Sequence, residues 1–191
     1  QQMSLGRGSV YRDRKFIDAV RLFLSRAGEH GGQENYRDDA VEMAALVLGL
    51  RAEDWFVAAQ EALGRGGPGA FRALVDGGLA LLLRADQLLE SHSLLTLRAW
   101  IGHARGHDGS VAEKDDWERN ARHIITVWGP PVNDYSCRVW SGLIRDFYVP
   151  RLKALTEAMA EGKPFDRRDW EARWVRGIGI SPLKRLSDPA V

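Results

Sequence analysis

N-A-R-H-I-I-T-V-W-G-P-P-V-N-D-Y-S-C-R-V-W-S-G-L-I-R-D-F-Y-V-P-R, residues 120–151, is the stretch on which the reading of this 191-residue chain turns. Its first part is an amphipathic helical segment. Trp128-Gly129-Pro130-Pro131 ends that segment in a rigid corner, because consecutive prolines cannot donate to a helical ladder. Asn133 or Asp134 then caps a second helix, expected over residues 135–161, whose apolar face is rich in aromatic residues. Pro150 must interrupt or bend it. Two ring-bearing residues, Trp128 and Tyr135, therefore flank one short loop.

Outward from this stretch, apolar residues recur at helical spacing nearly everywhere, and no segment shows the two-residue alternation of a half-buried strand. The fold class is all-α: a single helical-bundle domain of about seven helices with short loops. A first helix is expected over residues 14–27, with Phe16, Ile17, Val20, Phe23 and Leu24 on its stripe. A long one follows over 37–63, with a kink at Gly49. Pro68 suits the first turn of the next, which reaches residue 90. Another runs from 94 to 103. Ser110 and Glu113 form a capping box that starts a helix ending near Trp128. Asp166 and Asp169 begin a short final helix, and the tail from Gly177 to Val191 is expected to be extended. Residues 1–9 resemble the end of an expression tag and are set apart from a domain spanning 10–191.

The charges balance, with 27 basic against 26 acidic residues, so no electrostatic footprint for nucleic acid or an anionic membrane exists. No apolar run approaches the ~18 residues of a membrane span. Arginine outnumbers lysine 22 to 5, the bias of a GC-rich genome, which points to a bacterial source. The single cysteine, Cys137, has no internal disulfide partner and reads as a small apolar residue.

Several groups could carry chemistry. A Trp and a Tyr on one stiffened loop can pack a sugar's C–H face and supply a hydroxyl partner; both residue types are equally at home plugging the end of a bundle. Glycoside hydrolysis needs two carboxyls on opposite sides of the scissile bond, ~5 Å apart for retention. Asp38, Asp39 and Glu42, then Glu113, Asp115, Asp116 and Glu118, offer carboxyls. No cleft is evident near them, and acidic residues in a first turn complement the helix dipole. His103 and His107 stand four apart, but Gly106 loosens the turn between them and argues against a metal site. His30 and His92 fall in turns and are expected to be solvated. Arg122, Arg138, Arg145 and Arg151 recur along the stretch, as arginines do when they pair with carboxylates or cap carbonyls between helices. The glycine-rich residues 64–69 lack the Lys-Ser/Thr of a phosphate loop and follow a helix, which makes them a linker.

The order W-G-P, D-Y, R-x-W-S-G-L, F-Y-x-P-R closely resembles the carboxy-terminal helical domain of the α-N-acetylglucosaminidases, glycoside hydrolase family 89. The resemblance extends more weakly from about Tyr11 to Trp170. It implies that Trp128 and Tyr135 line a pocket for terminal α-linked N-acetylglucosamine where the helical domain meets a (β/α)8 catalytic barrel. Arg122 and Asp134 would support that segment. The catalytic glutamates of the family sit on the barrel, so no catalytic residue is carried over to this chain, which should be inactive alone. The implied reaction is retaining and uses no metal or cofactor. The implied location is secreted or periplasmic, lysosomal in animals. Departures exist: Leu152 stands where the family has a tryptophan, Ala44-Ala45 replace a Thr-Arg pair, and the loop around Val132 is shorter. The rival reading is a free-standing helical module that binds a protein partner through the same aromatic corner.

Overall fold

The computed structural model describes residues 14–92, 94–128 and 138–177. Among them the secondary structure is helical, with one isolated parallel bridge between Thr96 and Ser141. The chain divides after His92 into two compact units, Gln1–His92 and Ser93–Val191.

In the first unit, α1 (Arg14–Leu24) and the single turn α2 (Ala27–His30) lead into α3 (Glu34–Gly64) and α4 (Pro68–Leu89). Gly66, at φ 77°, turns α3 back on α4, and the Gly67 N–H bonds the Ala62 carbonyl at 3.0 Å. Ala45, Ala52 and Ala59 are buried at seven-residue spacing along α3. Opposite them, Phe71, Val75, Gly78, Leu82, Ala85 and Leu89 are buried on α4 at alternating four- and three-residue steps. That is a coiled-coil seam, in which small residues on one helix receive large ones from the other. Two adjacent glycines in mid-helix would cost ~1 kcal/mol each against alanine. Here they make room for rings: a Cβ on Gly77 would lie 2.2 Å from the Trp55 indole, and one on Gly78 2.8 Å from the Phe56 ring. The Tyr36 hydroxyl donates to the Phe23 carbonyl at 2.6 Å and joins the end of α1 to the start of α3.

Gly49 does not kink α3, which runs unbroken for 31 residues. The helix also begins at Glu34, so Asp38, Asp39 and Glu42 lie beyond its first turn, and the dipole account of them fails. His92 is a second correction. It is 5% exposed rather than solvated, with Nε2 3.3 Å from Glu42 Oε1 and 3.9 Å from Asp38 Oδ2.

The second unit holds α5 (Leu97–Arg105), α6 (Val111–Ile124), a π-helical turn (Ile144–Tyr148), α7 (Val149–Ala160) and α8 (Arg167–Val175). Helix α5 starts three residues later than expected, because Thr96 caps it by accepting the Ala99 N–H at 3.1 Å. The Ser110–Glu113 capping box starts α6 as its spacing requires. The helix expected over 135–161 is present only in its later part, the π-helical turn and α7: residues 138–140 are not helical, and Gly142, at φ 79°, sets the bend that precedes the π-helical turn. Asn133, Asp134, Tyr135 and Cys137, the W-G-P-P prolines, the first nine residues and the tail beyond Gly177 lie outside the described residues.

Pro150 explains the π-helical turn. In an α-helix its N–H would bond the carbonyl four residues back, Asp146, and proline has no N–H to give. The Val149 N–H reaches instead to the Ile144 carbonyl, five residues back, which makes the wider turn. The freed Asp146 carbonyl accepts the Trp174 indole N–H at 2.9 Å. A helix break visible in the sequence is thus sealed by a residue 24 positions beyond the proline.

Candidate functional site

Arg122 is the centre of the signature stretch. In the last turn of α6, it is 2% exposed, and its guanidinium is tied on two sides. Nε and Nη2 donate to Glu118 Oε1, the former at 2.9 Å, and Nη1 donates to the Trp174 carbonyl at 3.0 Å. The guanidinium carbon also lies 5.1 Å from the centroid of the Trp174 ring. Glu118 is held from its other oxygen by Arg105, whose Nη1 stands 2.7 Å away, so neither buried charge is left alone.

The same arginine fixes how α6 ends. Its carbonyl accepts the Thr126 hydroxyl at 2.7 Å, and Thr126 is fully buried. The N–H groups of Thr126, Val127 and Trp128 converge on the His123 carbonyl, the last at 3.0 Å. This tight terminal turn closes the helix four residues earlier than expected and leaves the Trp128 side chain 48% exposed beside buried Ile125.

The far side of the 129–137 segment is anchored as firmly. Ser141 donates to the Leu95 carbonyl at 2.9 Å and accepts the Leu97 N–H at 2.8 Å. Trp140 meets Trp100 at a ring distance of 5.7 Å, and Trp100 in turn donates its indole N–H to the Ala121 carbonyl at 2.9 Å. A side chain on Gly142 would have its Cβ 3.2 Å from Leu97 Cβ, so the W-S-G-L motif works by close approach as well as by positive φ. Leu143, Ile144, Phe147 and Tyr148 follow, all buried. The Phe147 ring packs 4.7 Å from that of Trp174, and the Arg151 guanidinium lies 4.7 Å over Phe147 while Nη1 bonds Glu171.

The other sequence candidates separate cleanly. Arg151 and Arg122 are buried helix pins, Arg145 pairs with Asp146, and Arg138 is exposed. Glu113 serves the α6 cap, where bonds from the Ser110 hydroxyl and N–H hold its carboxyl below the usual range. Asp115 pairs with Arg105, and Asp116 with Arg119. His107 packs edge-on to Trp117, 5.7 Å between rings, in a shallow depression shared with His103. Among the described residues no three His, Cys, Asp or Glu side chains gather to hold a metal. No described helix is long and apolar enough to cross a membrane.

Three residues have roles that the sequence alone did not assign. Glu118 was visible as the i−4 partner of Arg122 on one helical face. Trp174 and Ser141 act through tertiary contacts that no local spacing encodes.

The sequence matches the family described as the α-N-acetylglucosaminidase (NAGLU) C-terminal domain over residues 1–178, a span that includes the nine set apart above. The chain belongs to that family. It is 31% identical over 173 residues to the α-N-acetylglucosaminidase of Homo sapiens, a match covering 85% of this chain and 23% of the human protein. Its fold superposes on the family 89 glycoside hydrolase of Clostridium perfringens in complex with PUGNAc, with a TM-score of 0.78, 24% identity, and coverage of 95% of this chain and 24% of that one. A doubly substituted form of the same enzyme, in complex with its substrate GlcNAc-α-1,4-galactose, superposes with a TM-score of 0.79 at the same identity. The chain therefore spans about a quarter of the length of these relatives.

Proposed function

We propose that this α-N-acetylglucosaminidase C-terminal domain acts as part of a longer glycoside hydrolase, packed on a (β/α)8 catalytic domain. There it completes one wall of a pocket for terminal α-linked N-acetylglucosamine. Trp128 would pack against the sugar, Tyr135 would offer its hydroxyl, and Asp134 would support the segment. Arg122 acts from behind as a positioning residue. One observation carries this reading: Trp128 stays about half exposed at the end of a helix whose last turn is locked by a buried arginine. A tryptophan serving only the core would be expected to go in with its neighbours Ile125 and Thr126. The names of the relatives and the sugar ligands in their structures supply the substrate class. The arginine-rich composition supports a bacterial source.

The catalytic pair would come from the barrel, and several of the candidate carboxylates of this chain have other partners. Asp38 and Glu42 face His92, and Glu118 is held by two arginines. Incubating the 191-residue chain with an aryl α-N-acetylglucosaminide should give no turnover, while a longer form carrying the barrel should release the sugar. Turnover by the short chain that survives repurification and is lost in Asp39→Asn or Glu42→Gln would overturn the division of labour. A longer form that is inactive while the short chain captures a protein would favour the interaction-module reading.

A further inference from the structure

Among the described residues of the second unit, Asp146 is the one buried carboxyl that the packing leaves half satisfied. The residue is 7% exposed. Its Oδ1 receives a long contact from Arg145 Nε at 3.3 Å, and Oδ2 has no hydrogen-bond partner among the described residues. Every other described buried carboxylate of this unit is tied to an arginine at 2.9 Å or closer: Glu118 to Arg105 and Arg122, and Glu171 to Arg151. Leaving a buried polar atom unpaired is costly, and more so when it is charged, so the position selects against the ionised form.

Its backbone stands at the head of a continuous chain of bonds. The Asp146 carbonyl holds the Trp174 indole N–H, the Trp174 carbonyl holds Arg122 Nη1, and the Arg122 carbonyl holds Thr126 in the turn that presents Trp128. We propose that Asp146 makes this arch proton-sensitive, holding it as built while the carboxyl is neutral and loosening it once the carboxyl carries charge. The inference deepens the pocket-wall reading and rests on it for the meaning of Trp128.

The charged groups around the site give the direction. On its own turn Arg145 is partly exposed, and from α6 comes Arg122, already committed to Glu118. From α7 and α8 come Arg151, Glu171 and Arg167, which pair among themselves. Burial pushes the Asp146 carboxyl above its ordinary value, against the weaker opposing pull of Arg145 and then Arg122. An ionised Asp146 would compete with Glu118 and the Trp174 carbonyl for the Arg122 guanidinium, the one cation shared by the arch.

The sign follows from linkage. With the folded-state value raised above the unfolded one, the associated stability is complete below the unfolded value and is lost as pH rises through the folded value. Thermal unfolding of the 191-residue chain should therefore give equal Tm for wild type and Asp146→Asn at about pH 3, below the unfolded value, and a Tm higher by about 2–4 °C for the variant at pH 7.5. In 5-fluorotryptophan-labelled protein, the Trp128 and Trp174 resonances, assigned by Phe substitution, should move together through one transition above the usual carboxylate range. That transition should be absent in Asp146→Asn and displaced upward in Arg145→Gln. A variant less stable than wild type at pH 7.5 would show the carboxylate to be an ordinary ion pair. A transition unchanged in both variants would remove Asp146 from the account. Either result leaves the pocket-wall reading to its own test, which reads activity and not pH.

Discussion

The two units pack by different rules. The α3–α4 hairpin of the first is a periodic seam of alanine, glycine and large apolar residues, in which each helix turn repeats the contact of the last. The second unit is aperiodic: an arginine clamped between a glutamate and a tryptophan carbonyl, a second arginine stacked on two rings, and a helix break sealed from afar. A seam stabilises a rod and would tolerate sliding by one repeat. Directional bonds to buried charges add less net stability, because desolvation offsets much of their attraction, but they admit a single geometry. The difference teaches where precision was required: at the end of α6, on the side that presents Trp128.

The largest effect is expected at Trp174. It is fully buried, so Trp174→Ala should cost about 3–5 kcal/mol. Hydrogen exchange should show protection lost over α5, α6, α7 and α8 while the α3–α4 seam stays protected, and loss of protection in the seam as well would mean that it does not stand by itself. Arg122→Met comes next, at about 3 kcal/mol, for it strips one of two cations from a buried glutamate. The double change Arg122→Met with Glu118→Leu should recover part of that loss in chemical denaturation; additive losses would show that the pair is not coupled.

The seam has its own test. Gly78→Ala gains helix propensity but drives a Cβ into the Phe56 ring, so a net loss of about 1–2 kcal/mol is expected. A stabilised variant would mean that the rings shift freely and that the glycines serve another purpose. The smallest effect belongs to the α6 start, where Ser110→Ala should lower Tm by the equivalent of about 1 kcal/mol. No change would place the rigidity of α6 wholly in its carboxy-terminal half.

These rankings follow what the sequence did and did not disclose. Helical periodicity, the capping box at Ser110 and the Pro68 start are local signals, and α4, α6 and α8 begin where such signals stand. The Gly49 kink failed because a half-buried glycine inside a well-packed helix needs no bend. The solvated His92 failed because the turn that carries it folds onto α3, a tertiary event invisible in a tripeptide. The expected helix fails over residues 138–142 because Ser141 is bonded to Leu95 and Leu97, residues more than forty positions away. At the proposed site, Trp128 and Arg122 were named from the family resemblance, whereas the bonds of Trp174 and Asp146 are tertiary and appear only in the structure.

The central claim is that Trp128 belongs to function more than to the fold. The direct measurement is Trp128→Ala in the longer enzyme, with thermal unfolding and kcat/KM taken on the same preparation. With about half of the indole exposed, the loss of stability should stay well below the ~3–5 kcal/mol of a buried tryptophan, while kcat/KM on an aryl α-N-acetylglucosaminide falls at least ~10-fold, the equivalent of about 1.4 kcal/mol of lost transition-state stabilisation. A large drop in Tm with unchanged activity per folded molecule would assign Trp128 to the core and contradict the account.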